Sequence, residues 1–458
     1  MENKIQQHIS NYLQLLIHKK VYEQDAFDLL ATLIFWIYLS DKQNNDIPEI
    51  KESDEKYFFE NIILSPESNL EENINVALGA WAKLLKVDTN MFLIKETIFL
   101  DVGIHEFRNL CLEIKDIFGI KWSWSAENII NLFNSIESEI ADRITAAHLL
   151  FTPPEIARLM SKFSTFKTVN SLYDPYYRTG ELLAECTVAN KKINCIRGNT
   201  DNMLSFKITK IKSVMLRFRE PDLSKHDIYN SFRTEKFDYI ITNPPFDAAR
   251  NFPLGNGKWT RQFGGHRTEL DILCIALDHL NDKGQAAIIV PNGLLFATDK
   301  VFNFRKKIIE ENLLESIILL PQKIFYGANI KTAILLINTK KKDNKVLLFD
   351  ATDLGLKRKD RYIFSESDIS EIAKTVKSFK TEILINDGRL KEHVIVVTGE
   401  ELKAHNFDCQ FVTYRKTKIT CDLKLQPAAF IWEEIRQLKR ELEVCQKAKE
   451  ELIDVRNI

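Results

Sequence analysis

From about residue 168 onward, short β-rich runs alternate with helical stretches, and this alternation constrains the fold more than any other feature of the 458-residue sequence. Six apolar runs are typical of strands: Val169–Tyr173, Ile193–Ile196, Tyr239–Thr242, Gln285–Val290, Leu314–Leu320 and Thr332–Ile337. Four segments between them have helical periodicity: Glu181–Ala189, Leu204–Arg217, Asp271–Leu280 and Val301–Asn312. This order predicts an α/β fold with a doubly wound sheet. Such sheets bind ligands at the carboxyl ends of their strands, where the strand order reverses.

The first 145 residues have a different pattern, because apolar residues recur there at spacings of three and four. Ile129, Leu132, Phe133 and Ile136 are one such series. Helices are predicted within residues 5–40, 75–85, 106–117 and 128–140. The polar segment from Asp41 to Glu55 is predicted to be a loop. This part of the chain is therefore expected to be all-helical.

Beyond residue 342 the pattern is mixed. Val346–Phe349 is predicted to be a strand, and Ser367–Ser378 a helix with a polar cap. The segment Phe430–Val455 lacks Pro and Gly, and it carries an apolar stripe formed by Ile431, Ile435, Leu438, Leu442 and Cys445. It is predicted to be a long amphipathic helix. Pairing with another subunit and packing against its own domain are both consistent with this stripe.

Charge is unevenly distributed along the chain, although the net charge is only -1. Residues 1–150 hold 24 acidic and 13 basic side chains, whereas residues 151–458 hold 40 acidic and 50 basic ones. This asymmetry indicates an anionic partner for the basic part, or attraction between the two parts. No transmembrane segment or signal peptide is expected, and the seven cysteines are scattered. A cytoplasmic protein with reduced thiols is the expectation.

The most specific motif is Asn243–Phe246, which reads Asn-Pro-Pro-Phe and directly follows the predicted strand Tyr239–Thr242. Two consecutive prolines stiffen the turn and remove two backbone donors. The backbone carbonyls and the Asn243 amide are therefore expected to face outward as acceptors, with Phe246 as a flat stacking surface. A flipped nucleobase offers an exocyclic amine and a π face, which match this combination. An ordinary proline-rich turn is the alternative explanation.

Several segments together resemble a known family, the methylation subunits of type I restriction-modification systems. The similar segments are LFTPPEIARLM at 150–160, SLYDPYYRTGELL at 171–183, NPPF at 243–246, KIFYGANIKTAILLINTK at 323–340, VLLFDATDL at 346–354 and the neighbourhood of Asn406–Tyr414. The cofactor segment precedes NPPF, as it does in this class. The resemblance covers roughly residues 5–455, which is nearly the whole chain.

This resemblance implies an adenine-specific DNA methyltransferase that takes its methyl group from S-adenosylmethionine. It implies a helical N-terminal domain, which is placed at 1–145, and a Rossmann-like methyltransferase domain at 146–425. The long amphipathic helix predicted from the apolar stripe then forms a C-terminal part at 426–458. Double-stranded DNA is the implied substrate, and a DNA-specificity subunit is the implied partner. A restriction subunit and a second copy of the chain are further partners that the resemblance suggests.

The resemblance also implies roles for individual residues. The catalytic residues are Asn243, Pro244, Pro245 and Phe246. The cofactor-binding residues are Thr152, Pro153, Asp174, Gly180 and Asp201. Asn243 and the Pro244 carbonyl would accept hydrogen bonds from the target amine, and Phe246 would stack on the base. No metal is implied, and the histidines lack metal-ligand spacing.

The cofactor segment departs from the family pattern, which is close to Asp-Pro-Ala-Cys-Gly-Ser-Gly-Gly. Arg178 and Glu181 stand where that pattern has glycine, and Tyr176 is bulky. Tyr176 and Arg178 are predicted to fill the space of the methionine part of the cofactor, with Arg178 within reach of Asp174. Thr200 stands where the family has a ribose-binding acid, and Asp201 follows it.

Other functions are compatible with the same residues. A non-catalytic homologue that serves as a DNA-binding or scaffold subunit would explain the altered cofactor segment. Methylation of RNA through the same motif is a further alternative. The segment Gly255–Arg267 combines glycines, cations and Trp259, which suggests either a flexible DNA-contacting flap or a solvated loop.

Overall fold

The computed structural model describes residues 2–41, 47, 50–118, 122–144, 147–164, 169–189, 193–225, 234–246, 257–265, 267–380, 390–415 and 439–440. In the first 145 residues the described helices are α1 (Glu2–His18), α2 (Glu23–Ser40), α3 (Phe59–Ile63), α4 (Leu70–Leu84), α5 (Glu96–Val102), α6 (Ile104–Ile117) and α7 (Ala126–Ala141). Short 3-10 turns lie at Glu52–Tyr57 and Glu67–Asn69. The expected helical character of this part is confirmed.

Local sequence explains where these helices begin and what they cover. The Ser125 side chain accepts a 3.2 Å hydrogen bond from the Asn128 amide, so it caps the first turn of α7. Helix α2 is apolar around most of its circumference, and it buries an unbroken run from Leu29 to Leu39. A helix that is apolar on all sides belongs inside a fold. Helix α2 accordingly packs against α1, α6, α7 and a helix of the α/β part, α10 (Met203–Met215).

The remaining helices surround a single large sheet. They are α8 (Pro154–Ser161), α9 (Glu181–Ala189), α11 (Lys258–Phe263), α12 (Thr268–Asp278), α13 (Lys300–Glu310), α14 (Glu366–Lys380), α15 (Gly399–Ala404) and α16 (Phe411–Tyr414). Further 3-10 turns lie at Ala147–Leu149, Asn292–Leu295 and Lys391–His393. The helix predicted over Ser367–Ser378 is confirmed as α14.

The described strands are β1 (Ser171–Asp174), β2 (Cys195–Thr200), β3 (Pro221–Lys225), β4 (Phe237–Thr242), β5 (Leu280–Pro291), β6 (Leu314–Leu319), β7 (Thr332–Asn338), β8 (Lys345–Asp350), β9 (Leu356–Arg358), β10 (Arg361–Ile363) and β11 (Val394–Thr398). Nine of them form a sheet in the order β11-β8-β6-β7-β5-β4-β1-β2-β3, and β9 pairs with β10 separately. The four neighbouring pairs β3-β2, β2-β1, β1-β4 and β4-β5 are parallel. Strands β7 and β11 run antiparallel to their neighbours. The predicted α/β class is confirmed.

The order of the strands reverses between β1 and β4. The chain runs from β1 outward through β2 and β3, and then returns to β4 and β5 on the other side of β1. Tyr173 of β1 lies in register with Ile240 of β4. Asp174 ends β1 and Asn243 directly follows β4, so the two predicted motifs meet at the reversal point.

Contacts divide the chain into two units, Met1–Thr413 and Tyr414–Ile458. The first unit holds the helices α1 to α15 and the whole sheet, with one apolar core that extends from Ile5 to Leu390. In the second, the helix predicted over Phe430–Val455 lies outside the described residues, except that Lys439 and Arg440 are helical. Within the described ranges, no helix has the length and apolarity needed to cross a membrane.

Candidate active site

The Asn-Pro-Pro-Phe turn begins immediately after β4. Asn243 is fully buried, and its Nδ2 donates a 3.1 Å hydrogen bond to Thr152 Oγ1. Its Oδ1 is also buried, and no donor reaches it in the described part of the chain. Pro244 and Pro245 are buried, while Phe246 is half-buried against the core. The expectation that this turn faces outward is wrong for Asn243 and both prolines, because other parts of the chain cover them.

Arg178 provides much of that cover. Its side chain is 3% exposed and extends from the loop after β1 to the turn after β4. Nε donates to the main-chain oxygen of Asn243 at 3.0 Å, and Nη2 donates to that of Pro244 at 3.1 Å. Nη1 donates to the carbonyl of His148. The predicted partner was Asp174, but the hydrogen bonds of the guanidinium go to these three carbonyls.

Tyr176 lies in the same loop and reaches the end of β2. Its hydroxyl donates a 2.6 Å hydrogen bond to Asp201 Oδ1. Its amide donates a 3.1 Å hydrogen bond to Asp174 Oδ1 at the end of β1. Both acidic side chains that were predicted to bind the cofactor are therefore engaged by one tyrosine of the chain itself.

Burial shifts the pKa of the charged groups at this point. It raises the pKa of Asp174 from 3.8 to about 7, although the nearby Thr242 hydroxyl and the hydrogen bond from the Tyr176 amide act in the opposite direction. Burial lowers the pKa of Arg178 from 12.5 to about 10, so the guanidinium stays charged at neutral pH. Burial, with Arg178 beside it, also lowers the pKa of His148.

A buried acidic network fixes the other end of the loop. Thr179 Oγ1 lies 2.8 Å from Glu137 Oε1 and 2.7 Å from Glu181 Oε1. One hydroxyl proton cannot serve both carboxylates, so a proton held by one of them fits this geometry. Burial indeed raises the pKa of Glu137, with Lys212 opposing that shift and Glu181 adding to it.

Glycines allow close contacts on both sides of the loop. A Cβ at Gly198 of β2 would lie 2.5 Å from Cδ1 of Tyr177, so the tyrosine ring packs directly on the glycine backbone. Gly180 has a φ of +81°, and a Cβ there would lie 2.7 Å from Thr209 Cγ2. These contacts leave the loop backbone little room to shift.

A sequence profile of N-6 DNA methylases matches residues 144–422, which is more than half of the chain. The chain belongs to the N-6 DNA methylase family. The match includes the loop after β1, the turn after β4 and every strand of the main sheet.

Individual relatives of this N-6 DNA methylase are methylase subunits of type I restriction enzymes. The MjaIX methylase subunit of Methanocaldococcus jannaschii is 26% identical over 291 residues, which cover 58% of this chain and 50% of that protein. The chain thus spans about half the length of this relative. The type I methyltransferase subunit of Streptococcus thermophilus has a similar fold, with a TM-score of 0.75, 16% identity and coverage of 89% of this chain and 98% of that one. A second solved structure comes from work on complex assembly of the type I restriction-modification system. It has a TM-score of 0.67 and 16% identity, and the match covers 99% of this chain and 99% of that one.

The methylase fold brings some of the predicted site residues together. Thr152 contacts Asn243, and its amide donates a 2.9 Å hydrogen bond to Glu181 Oε1. Pro153 immediately precedes α8, and its carbonyl accepts hydrogen bonds from the first turn of that helix. Asp174 and Asp201 are linked through Tyr176, whereas Gly180 faces Thr209 of α10.

Two residues that support the loop after β1 were missed from the sequence of this methylase. Glu137 of α7 contacts Thr179 of the loop, and Lys212 of α10 pairs with Glu137; both lie outside the recognised motifs. A signal for Glu137 was present, because it lies at helical spacing within the apolar stripe of Phe133, Ile136 and Ile140. A carboxylate on a buried helical face needs a partner, and Lys212 provides it.

The described part of the glycine-rich segment Gly255–Arg267 is not a flexible flap, because it contains a packed helix. Gly255 and His266 lie outside the described residues, but Lys258–Phe263 forms α11. The Trp259 side chain is buried and its ring centroid lies 5.7 Å from that of Phe304, so Trp259 is not available for base stacking. Lys258 pairs with Glu311 at 2.9 Å. Among the described residues, no group of three His, Cys, Asp or Glu side chains is placed to hold a metal ion.

Proposed function

We propose that this chain is the methylation subunit of a type I restriction-modification-like system. In this role it transfers a methyl group from S-adenosylmethionine to the exocyclic amine of a flipped adenine in double-stranded DNA. Membership in the N-6 DNA methylase family gives the reaction class. The local geometry of Asn243 supports the position of the target amine.

The observation that carries this proposal is the unpartnered Oδ1 of Asn243. It is buried, and the described residues offer it no hydrogen-bond donor. A buried acceptor without a donor destabilises a fold by about 1–3 kcal/mol, so such atoms are rare and call for an explanation. An amine that enters from outside would supply the missing hydrogen.

The neighbouring groups suit the same occupant. An exocyclic amine carries two N–H bonds, and the Pro244 carbonyl is a second acceptor in the same turn. Acceptors at both N–H bonds orient the amine and increase electron density on its nitrogen. Phe246 is half-buried and follows in sequence, where its ring can support the flipped base.

Side chains of the protein itself fill the part of the site that is proposed for the methyl donor. The resemblance assigns this part to S-adenosylmethionine, which would supply the methyl group as a sulfonium. Arg178 lies between the loop after β1 and the turn after β4, and Tyr176 holds Asp201. In the described conformation, these residues do not fit the donor. Methyl transfer therefore requires Arg178 and Tyr176 to move.

A DNA-specificity subunit and double-stranded DNA are the partners that we propose, with a restriction subunit and a second copy of the chain as further members of the assembly. The excess of basic side chains in residues 151–458 supports DNA as the ligand of that part. A solved structural neighbour is described in terms of type I complex assembly. The helix predicted over Phe430–Val455 is the segment that we propose for subunit contact.

Incorporation of a methyl group into DNA tests this function. The chain is purified together with its genomically adjacent specificity subunit and incubated with labelled S-adenosylmethionine and unmethylated DNA. Mass spectrometry of the nucleosides should detect N6-methyladenine, and the product should be lost with Asn243→Ala. Absence of N6-methyladenine from the complete assembly would contradict the proposal.

Arg178 also favours a second candidate, a non-catalytic DNA-binding or scaffold subunit. A guanidinium that permanently held the Asn243 and Pro244 carbonyls would leave a methylase fold without turnover. This candidate predicts DNA or subunit binding by the wild-type assembly with no methyl transfer. The incorporation experiment separates the two functions.

A further inference from the structure

Arg178 makes three hydrogen bonds, and every acceptor is a backbone carbonyl. Two of these carbonyls belong to Asn243 and Pro244, and the third belongs to His148. The guanidinium thus joins three separate segments of the chain: the loop after β1, the turn after β4 and the 3-10 turn Ala147–Leu149. Few other side chains could do this, because only Arg offers five N–H donors in one rigid plane.

The donors of Arg178 resemble those of the proposed target. A guanidinium is planar and delocalised, and it presents N–H bonds along its edge, as the amino edge of adenine does. The Pro244 carbonyl, proposed as an acceptor for the target amine, already accepts from Nη2 at 3.1 Å. The guanidinium therefore already occupies one of the two acceptors proposed for the amine.

We propose that Arg178 is an internal plug of the active site, which holds the Pro244 carbonyl that the target amine needs and excludes the methyl donor until its side chain swings away. This inference rests on the proposed function for the identity of the competing ligands. Tyr176 completes the closure through its 2.6 Å hydrogen bond to Asp201.

Contacts on both sides of Arg178 indicate how the plug can open. Tyr177 is fully buried and its ring is fixed against Gly198, while Thr179 is held between Glu137 and Glu181. The backbone that carries Arg178 is thus anchored through both of its neighbours. Opening is therefore a rotation of the Arg178 side chain, and movement of the whole loop is not needed.

Charge adds to the exclusion of the donor. The sulfonium of S-adenosylmethionine is a cation, and a buried guanidinium beside it would repel it in a medium of low dielectric constant. Arg178 keeps its charge at neutral pH, since burial lowers its pKa only to about 10. S-adenosylhomocysteine has a neutral thioether, so it lacks this repulsion and serves as a second probe.

Calorimetric titration of the full chain with these two compounds tests the plug. The variants are Arg178→Ala and, as a matched control, Arg305→Ala. Arg305 is also 3% exposed and donates to three backbone carbonyls, those of Phe407 at 2.6 Å, Leu294 at 2.9 Å and Ala297 at 3.1 Å. Both variants lose a buried guanidinium, but only Arg178→Ala vacates the site.

We expect Arg178→Ala to bind S-adenosylmethionine at least about tenfold more tightly than wild type, as for a site that is open a tenth of the time or less. The gain should be smaller for S-adenosylhomocysteine, and Arg305→Ala should match wild type. Equal affinities of Arg178→Ala and wild type would overturn the plug. If Arg178→Ala does not fold, as judged by circular dichroism, Arg178→Gly also vacates the site and restores the residue of the family pattern at this position, and the same comparison decides.

Failure of the plug and failure of the proposed function remain distinguishable. Tighter binding by Arg178→Ala, with no N6-methyladenine from any assembly, would support the plug and contradict the function. N6-methyladenine from the wild-type assembly, with no gain in affinity for Arg178→Ala, would support the function and overturn the plug.

Discussion

Lys212 Nζ donates a 2.6 Å hydrogen bond to Glu137 Oε1, and these side chains are only 3% and 2% exposed. The pair joins α10 beside the sheet to α7 of the N-terminal helices. Glu137 also contacts Thr179, so the pair supports the loop that carries Arg178. The helical part of the chain is in this way a structural component of the candidate active site.

Removal of Lys212 should destabilise the protein strongly. Lys212→Met leaves the Glu137 carboxyl buried without its cation, and loss of one partner of a buried pair lowers the free energy of unfolding by about 3–5 kcal/mol. Loss of Lys212 also raises the pKa of Glu137 further. The loss of unfolding free energy should therefore grow as pH rises above the pKa that Glu137 has in the unfolded chain. Urea denaturation measures both effects.

Two variants control this experiment. Lys258→Met removes a lysine that is 63% exposed and paired with Glu311, and this change should lower stability by at most about 1 kcal/mol. The double variant Lys212→Met/Glu137→Leu should recover much of the loss, because no unpaired charge remains. Equal effects of Lys212→Met and Lys258→Met would contradict the importance of the buried pair.

Asp174 should make stability depend on pH. Its pKa is raised from 3.8 to about 7 by burial, so ionisation of the folded form is unfavourable. When the pKa of a carboxyl group is higher in the folded than in the unfolded chain, stability is intact below the unfolded-state pKa. It is lost as pH rises towards the folded-state pKa. Wild type should therefore lose stability relative to Asp174→Asn between about pH 4 and about pH 7. Urea midpoints that differ by the same amount throughout this range would refute the assignment.

Asn243→Ala should abolish function while the fold survives. The change removes the buried Oδ1 that lacks a donor and the 3.1 Å hydrogen bond to Thr152, so the net loss of stability should be about 1 kcal/mol. Loss of a positioned hydrogen-bonding group in an active site lowers turnover by roughly 100-fold or more. Asn75→Ala is the control, because Asn75 holds the backbone of Ile94 within the N-terminal helices. Methyl transfer assays of the assembly should separate the two variants.

Phe246→Ala should weaken the engagement of the target base. Stacking of a base on an aromatic side chain contributes about 1–3 kcal/mol, so KM for DNA should rise by roughly 5- to 150-fold. Phe246→Trp should preserve most of the activity. Phe379→Ala also removes a half-buried ring that packs on the core, but from α14, and it should leave KM for DNA unchanged. An unchanged KM for Phe246→Ala would exclude the stacking role.

The sequence allowed most of the sheet to be predicted, because its inner strands are continuous apolar runs. The exceptions have physical causes. β3 begins at Pro221 and carries Asp222 and Lys225, since it pairs only with β2 at the sheet edge. β11 was missed although Val394–Thr398 is rich in β-branched residues, and β9 and β10 have three residues each. Such short strands carry little periodic signal.

The candidate site was predictable in its motifs but not in its contacts. The Asn243 motif and the bulky residues of the loop were evident from local sequence. The acceptors of Arg178 were not, because His148 and Pro244 lie 30 and 66 positions away in the chain. Tertiary packing determines which partners a long side chain binds. The prediction that Arg178 reaches the nearby Asp174 was therefore wrong.

The protonation behaviour of Arg178 has a consequence for control of the site. Its pKa stays near 10 even when it is fully enclosed, so no change of acidity in the neutral range neutralises it. A histidine or a carboxylate in the same place would respond to the pH of its surroundings, but a guanidinium does not. The charge of the plug is therefore constant across the neutral range, and its opening is set by the shape and hydrogen bonds of a competing ligand.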